Sequence, residues 1–229
     1  MTGPAPRLED IAELDPSRRR RTGVPEVVFG QGKTPDQTLR LLAELRAADR
    51  DGPALATRCP DEVLAAAGSA FPGETVEADA VGRTLVVGEL PPASGRALVL
   101  TAGTTDLPVA HECRTTLRVL GVDAALLPDV GVAGLHRVLG HLDQLRDAEI
   151  VVVVAGMDGA LPSVVAGLVA APVIGVPTSV GYGVAAGGVA AACTMLSSCS
   201  PGLVVVNIDN GFGAAVHAAK IHRMVRGGR

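Results

Sequence analysis

The chain has 229 residues, enough for one large domain or two modest ones with a real core. Its net charge of −4 provides no field to draw in nucleic acid or an anionic membrane surface. There is no Trp, one Tyr and three Phe, so the core has to be built from Val, Leu, Ile and Ala. The four cysteines, Cys59, Cys113, Cys193 and Cys199, form no CxxC pair and read as reduced thiols of a cytoplasmic protein.

The N-terminus lacks an apolar run of the secretory kind, so no signal peptide is expected. Residues 1–23 are polar, with four arginines at 18–21 before Thr22-Gly23. A solvated helix end is the plain reading and a phosphate contact the sharper one. Residues 26–29 read as a short strand ending in a Gly turn, and residues 36–48 as an amphipathic helix through Leu39, Leu42 and Leu45. Gly32-Lys33-Thr34 fails as a P-loop, because GxxxxGK[ST] needs glycine where this chain has Val27. A weaker expectation stands, that Lys33 and Thr34 hold an anion at a helix N-terminus. A strand at 53–57, a helix at 60–67 and strands at 74–80 and 83–87 complete a small α+β unit. Pro91-Pro92 with Gly95 is the strongest linker signal. The division expected is residues 1–93 and 94–229.

From residue 97 strand, loop and helix alternate. Strands are expected at 97–102, 124–127, 150–155, 173–176 and 203–208. Helices are expected at 108–121, 135–146, 161–171, 184–196 and from 213 to about 224. That rhythm predicts a doubly wound, five-stranded parallel sheet in a three-layer α/β sandwich, with flavodoxin-like order 2-1-3-4-5. Residues 159–208 contain no Asp, Glu, Lys or Arg. Prolines and glycines cut this run into pieces too short to span a bilayer, so it reads as buried sheet and Ala-rich helix.

Each strand-to-helix loop is rich in Gly, Ser, Thr or Asp, the composition that cradles phosphates with backbone N–H groups. Gly181-Tyr182-Gly183 with Gly187 approximates GxGxxG, with the third glycine one residue late. Cys199, in a polar turn between two serines, is the cysteine best suited to act as a nucleophile. Cys193, in an Ala-rich helix, reads as packing. Asp106, Glu112, Asp158 and Asp209 are acids at loop positions, with helix capping as the default role. His136 is a candidate general acid/base. No cluster has zinc-ligand spacing and no GxSxG elbow is present.

Several segments together resemble a known family. Residues 152–183 (VVVAGMDGALPSVVAGLVAAPVIGVPTSVGYG), LTAGTTDLPVAHEC at 100–113 and residues 131–137 resemble the PurE-type AIR carboxylase fold. RTGVPEVVFGQGKTPDQ (21–37) and SSCSPGLVVVNIDNGFGAA (197–215) resemble the LarB family within that superfamily, whose members are pyridinium-3,5-biscarboxylic acid mononucleotide synthases of nickel-pincer cofactor biosynthesis. The likeness runs from about Arg18 to about Ala219. It implies carboxylation of the pyridinium ring of nicotinic acid adenine dinucleotide at C5, with CO₂ or bicarbonate as co-substrate, through a Cys199 adduct at C4. Hydrolysis to the dicarboxylated mononucleotide and AMP follows, with Mg²⁺ expected at the anhydride and no tightly bound organic cofactor. It implies Asp106 and Asp158 near the ring or ribose and Glu112 or His136 as proton acceptor. Phosphate or carboxylate is expected on Gly103, Thr104 and Thr105, on Gly156, Met157, Asp158 and Gly159, and on Ser179, Gly181, Tyr182 and Gly183. Asn207 and Asp209 are further expected contacts, and Lys33 and Arg21 are expected over the AMP side. His111-Glu112 stands where the family often has consecutive acids. The long uncharged run predicts a homo-oligomer, and the fold relatives imply an octamer. An AIR-type carboxylase or mutase and a non-catalytic nucleotide-binding module are the alternatives.

Overall fold

The computed structural model describes residues 12–227. The chain forms two compact units, the first ending at Leu90 and the second beginning at Pro91. The arginine run of the first unit becomes α1 (Arg18–Thr22), closed by Gly23 in the left-handed region at φ 73°. Local acids occupy it: Arg19 Nε lies 2.7 Å from Asp49 Oδ2, and Asp15 receives both Arg18 and Arg21.

β1 (Val27–Phe29), α2 (Pro35–Ala48) and β2 (Ala54–Thr57) make a parallel βαβ unit with Val27 opposite Leu55 and Phe29 opposite Thr57. A reciprocal capping box starts α2: Thr34 Oγ1 accepts from Gln37 N at 3.2 Å and Gln37 Oε1 from Thr34 N at 3.0 Å, with Pro35 at the first helical position. α3 (Asp61–Ala70), β3 (Val76–Asp79) and β4 (Thr84–Val87) follow, and the sheet order is β1-β2-β4-β3 with β4 antiparallel to both neighbours. Leu42, Val63 and Leu85 are fully buried between the sheet and its two helices.

The second unit runs β5 (Ser94–Thr101), α4 (Leu107–Val119), β6 (Val122–Leu127), α5 (Leu135–Leu139), α6 (Leu142–Asp147), β7 (Ile150–Ala155), α7 (Leu161–Ala166), β8 (Val173–Pro177), α8 (Val189–Leu196), β9 (Leu203–Val205) and α9 (Gly211–Val225). All pairings are parallel and the order is β6-β5-β7-β8-β9, the expected flavodoxin-like order. β7 explains the valine run. Ile150, Val152 and Val154 face Ala110, Leu117, Ala214 and Ala218 of α4 and α9. Val151, Val153 and Ala155 face Leu145, Leu161, Val165 and Met195 on the other side. A strand covered on both faces needs no polar alternation, and each buried valine contributes about 1.5–3 kcal/mol.

Four expected elements are shorter or divided. The helix expected at 135–146 breaks into α5 and α6 at Gly140-His141. Glycine is a poor interior helix residue, and the Gly140 N–H closes α5 on His136 O at 2.9 Å. The first half of the helix expected at 184–196 is instead a kinked 3₁₀ segment, Gly183–Gly188. Gly188 has φ 79° and a Cβ there would meet Thr178 O at 2.5 Å, so this stretch is pressed against the end of β8. The helix expected at 161–171 ends as α7 at Ala166, where Gly167 takes over. β9 stops at Val205, before the turn centred on Asp209 at φ 56°. Gly95 lies inside β5, at an irregular register between Ser94 and Ala97, not in a linker. There the buried His222 of α9 meets Ser94 Oγ at 3.0 Å and Glu149 Oε2 at 3.5 Å. Among the described residues no helix is long and apolar enough to cross a membrane.

Candidate active site

In a doubly wound sheet the turns after adjacent strands converge at the carboxyl ends, where the strand order reverses. Here the reversal lies between β5 and β7. The turn after β5 contains Gly103 and the 3₁₀ segment Thr104–Asp106. Asp106 turns inward and is only 3% exposed. Its Oδ2 accepts from Gly103 N at 2.9 Å, its Oδ1 accepts from Thr178 Oγ1 at 2.7 Å, and the Gly156 backbone adds a third bond. One carboxyl thereby ties together the turns after β5, β7 and β8. Burial raises its pKa above the ordinary aspartate value, and the nearby Asp209 charge pushes the same way, against the bonds from Thr178, Gly103 and Gly156.

The neighbouring turns fit against one another so closely that two glycines are required. A Cβ on Gly156 would lie 2.4 Å from Val180 O, and one on Gly131 2.6 Å from Ala102 O. Met157 takes a left-handed φ of 53° and donates its N–H to Val180 O at 2.8 Å. Asp209 holds the β8 turn from behind, its Oδ1 accepting from Ser179 N at 2.8 Å. These contacts frame a cleft of about 630 Å³, within the range of small-molecule sites. Asp106 and Asp158 supply its carboxyl groups and Arg137 its cation, while Val132, Val180, Val184 and Tyr182 contribute apolar surface. Arg137 Nη1 is fixed on Asp129, 3.0 Å from the carboxylate and 3.0 Å from the carbonyl.

Of the residues singled out in the sequence, Gly103, Thr105, Asp106, Gly156, Met157, Asp158 and Tyr182 line the cleft. Thr104, Gly159, Ser179, Gly181 and Gly183 lie in the same turns without lining it. Asn207 precedes the turn in which Asp209 does its supporting work, and its Oδ1 accepts from Ile208 N at 2.9 Å.

Five more of the expected residues do not line this cleft. Glu112 is buried on α4, where its Oε2 accepts from Phe212 N at 3.2 Å in the first turn of α9, away from the cleft lining. His136 is exposed on α5 and is not a lining residue. Lys33 and Arg21 belong to the first unit: Lys33 Nζ bonds to Phe29 O at 2.8 Å, and Arg21 pairs with Asp15. The N-terminus of α2 carries its own capping box. Cys199 is exposed in the turn between α8 and β9, which enters the sheet at the strand's amino end, and it does not line the cleft. Ser163 braces that turn, through Ser198 Oγ at 2.8 Å and by accepting Ser200 Oγ on its carbonyl at 2.8 Å.

Arg137, Thr178 and Thr194 are site residues that sequence reasoning missed. Arg137 had a usable signal, a cation in the first helical turn after β6. Thr178 had a weaker one, a hydroxyl at the end of an apolar strand. Among the described residues no three His, Cys, Asp or Glu side chains gather to hold a metal ion.

A family model described as AIR carboxylase matches residues 96–226. One described as LarB/PurE-like N-terminal domain matches residues 7–89. An uncharacterized protein of Methanocaldococcus jannaschii is 42% identical over 226 residues, covering 95% of this chain and 86% of that protein. Two crystal structures of Treponema denticola PurE proteins superpose with TM-scores of 0.46 and 0.45 at 23% and 22% identity. They cover 57% of this chain and 80% and 82% of theirs.

Proposed function

The chain belongs to the AIR carboxylase family and carries a LarB/PurE-like N-terminal domain, and from that premise we propose that it is the carboxylase that acts on nicotinic acid adenine dinucleotide. The observation that carries the reading is the pairing of those two domains in one chain. In this reading the Cys199 thiolate adds to ring C4, and the pyridinium becomes a dihydropyridine whose C5 is nucleophilic. C5 forms a bond to CO₂. A base then takes the C5 proton, the C4–S electron pair returns to sulfur, and the aromatic pyridinium is restored. Cleavage of the phosphoanhydride by water gives pyridinium-3,5-biscarboxylic acid mononucleotide and AMP.

The cleft supports particular roles in this scheme. Its volume suits a mononucleotide half of the substrate, with the phosphate on Arg137. Asp106 is the base assigned here in place of Glu112 and His136, because its carboxyl lies in the cleft and burial raises its proton affinity. Cys199 does not line its own chain's cleft, so the reading has the thiolate delivered by a second copy. Tyr182, Val184, Val189 and Leu196 are exposed apolar side chains on the segment of chain that leads from the cleft to the Cys199 turn, with Val184 98% exposed, and support such a contact.

The test is product mass spectrometry with nicotinic acid adenine dinucleotide and ¹³C-bicarbonate, comparing the protein with its Cys199→Ser variant. Labelled dicarboxylated mononucleotide and AMP from the unaltered protein alone is the expected result. Equal product from both proteins removes Cys199 from the chemistry. No product from either returns the chain to the AIR-type carboxylase or mutase reading, which needs no thiol.

A further inference from the structure

Asp209 does not line the cleft, and its bonds are spent on the residue that reaches Asp106 from the end of β8. The ladder between β8 and β9 closes where Val206 N donates to Gly175 O at 3.1 Å. Asp209 prolongs it across the turn. Its backbone N donates to Pro177 O at 2.8 Å. Its Oδ1 accepts from Ser179 N at 2.8 Å, where the carbonyl of a continuing parallel strand would have accepted it. Those two peptide groups flank Thr178.

Thr178 is fully buried. Its own N–H donates to Ala155 O at 3.1 Å, and its Oγ1 donates to Asp106 Oδ1 at 2.7 Å. The segment before α8 closes on the same residue, because a Cβ on Gly188 would lie 2.5 Å from Thr178 O and 2.9 Å from Ile208 Cγ2. Asp209 makes its two bonds from a left-handed φ of 56°, a conformation that Asp and Asn tolerate better than most side chains.

We propose that Asp209 is a positioning residue for Asp106, acting through the Thr178 hydroxyl and through its own negative charge. The inference deepens the proposed function and rests on its reading of Asp106 as the base. The two routes act in opposite directions. Holding Thr178 keeps a donor on the Asp106 carboxylate, which favours the ionised form, and a second negative charge nearby disfavours it. Burial is the largest influence on the Asp106 proton affinity and raises it; the Thr178 bond opposes burial and the Asp209 charge adds to it. The other charged groups about Asp106 are Asp158 and Arg137, which line the cleft, and Glu112 on α4, whose carboxylate accepts from Phe212 N. All three stay unaltered in the test.

The test uses the full chain and separates the two routes. Asp209→Asn removes the charge and keeps both an acceptor for Ser179 N and a residue suited to positive φ. Asp209→Gly keeps the backbone conformation and removes the acceptor. Infrared spectroscopy across pH follows the protonated carboxyl band that Asp106→Asn abolishes, and it needs no turnover. In Asp209→Asn that band is expected to disappear at lower pH than in the unaltered protein, with urea unfolding little changed. In Asp209→Gly it disappears at higher pH than in Asp209→Asn, because the Thr178 donor is no longer held. There kcat for labelled product falls about 10²-fold, the scale of a small misplacement at the reacting groups, with KM little changed. The inference is overturned if Asp209→Asn titrates where the unaltered protein does, or if the two Asp209 variants titrate together. The expected order of midpoints in a protein that yields no labelled product would sink the carboxylation reading alone. Labelled product with midpoints indifferent to Asp209 would sink this inference alone.

Discussion

Asp106 and Cys199 both sit in turns of one parallel sheet, and the chain treats them in opposite ways. Asp106 is 3% exposed and receives hydrogen bonds from three separate turns. Cys199 is exposed, in a turn whose flanking serines are tied to Ser163. The first arrangement is preorganised within one chain, which is how a fixed acid or base is made effective. The second presents a thiol outward without fixing what it meets. A mechanism that needs both groups at one ring therefore has to assemble them, and the two regions make separable predictions.

The largest effect is expected at Cys199. Cys199→Ser lowers single-turnover carboxylation by at least ~10³-fold, the scale on which loss of a nucleophile is felt. Stability moves by less than ~0.5 kcal/mol, because an exposed side chain is changed. Asp106→Asn is expected to slow the same step by about 10²- to 10⁴-fold, the usual worth of a positioned base. Mixing the two variants under conditions that exchange subunits breaks or sharpens the comparison. If the thiol comes from a second copy, mixed assemblies contain sites with an intact Asp106 and an intact Cys199, and activity returns that neither variant has alone. If mixing returns nothing while subunit exchange is shown to occur, the thiol acts within its own chain.

Gly156 probes the cleft through packing, beside its own backbone bond to Asp106. Its missing Cβ would overlap Val180 O at 2.4 Å and Thr178 Oγ1 at 2.6 Å. Gly156→Ala is expected to cost about 1–3 kcal/mol in urea unfolding, as overpacking does. It also loosens the Thr178 bond to Asp106, so activity falls with stability. Glu112→Gln should separate those two readouts. It weakens the acceptor for Phe212 N and costs about 1–2 kcal/mol, while carboxylation stays within roughly threefold. A loss of turnover without a loss of stability would restore Glu112 as a proton acceptor.

The fold was readable where one cause acted alone. β7 has no polar residue because both its faces are covered, and the five strand-loop-helix repeats could be counted directly. Elements went wrong where a glycine interrupted a helical composition, at Gly140 and across Gly183–Gly188. Composition reports an average over the window, and the break depends on one left-handed or poorly helical residue. At the site, loop glycines and Asp106 were legible because carboxyl-end turns are where such sheets bind ligands. Helical spacing places Glu112 six residues past Asp106 but cannot say that the first turn of α9 covers it. Arg137 was passed over because its role comes from Asp129, a residue eight positions earlier brought close by a turn.

The smallest effect is the pH dependence of stability at Asp106, and it tests burial alone. Burial raises the folded-state pKa of this carboxyl above the ordinary value of 3.8. The folded protein therefore keeps the proton after the unfolded chain has lost it. Between the ordinary and the raised value the unfolded state binds fewer protons, so unfolding free energy declines as pH rises. The contribution is fully present below the unfolded pKa and is lost as pH passes the folded one. Other carboxyls titrate in the same region; Asp15, drawn down chiefly by its hydrogen bond with Arg21, works in the opposite direction. The informative quantity is the stability of the unaltered protein minus that of Asp106→Asn, measured by urea unfolding from pH 3.5 upward. That difference should fall with rising pH and then level off. A difference that rises would mean that Thr178, Gly103 and Gly156 together outweigh burial, and that Asp106 reaches the C5 proton as a weaker base than proposed.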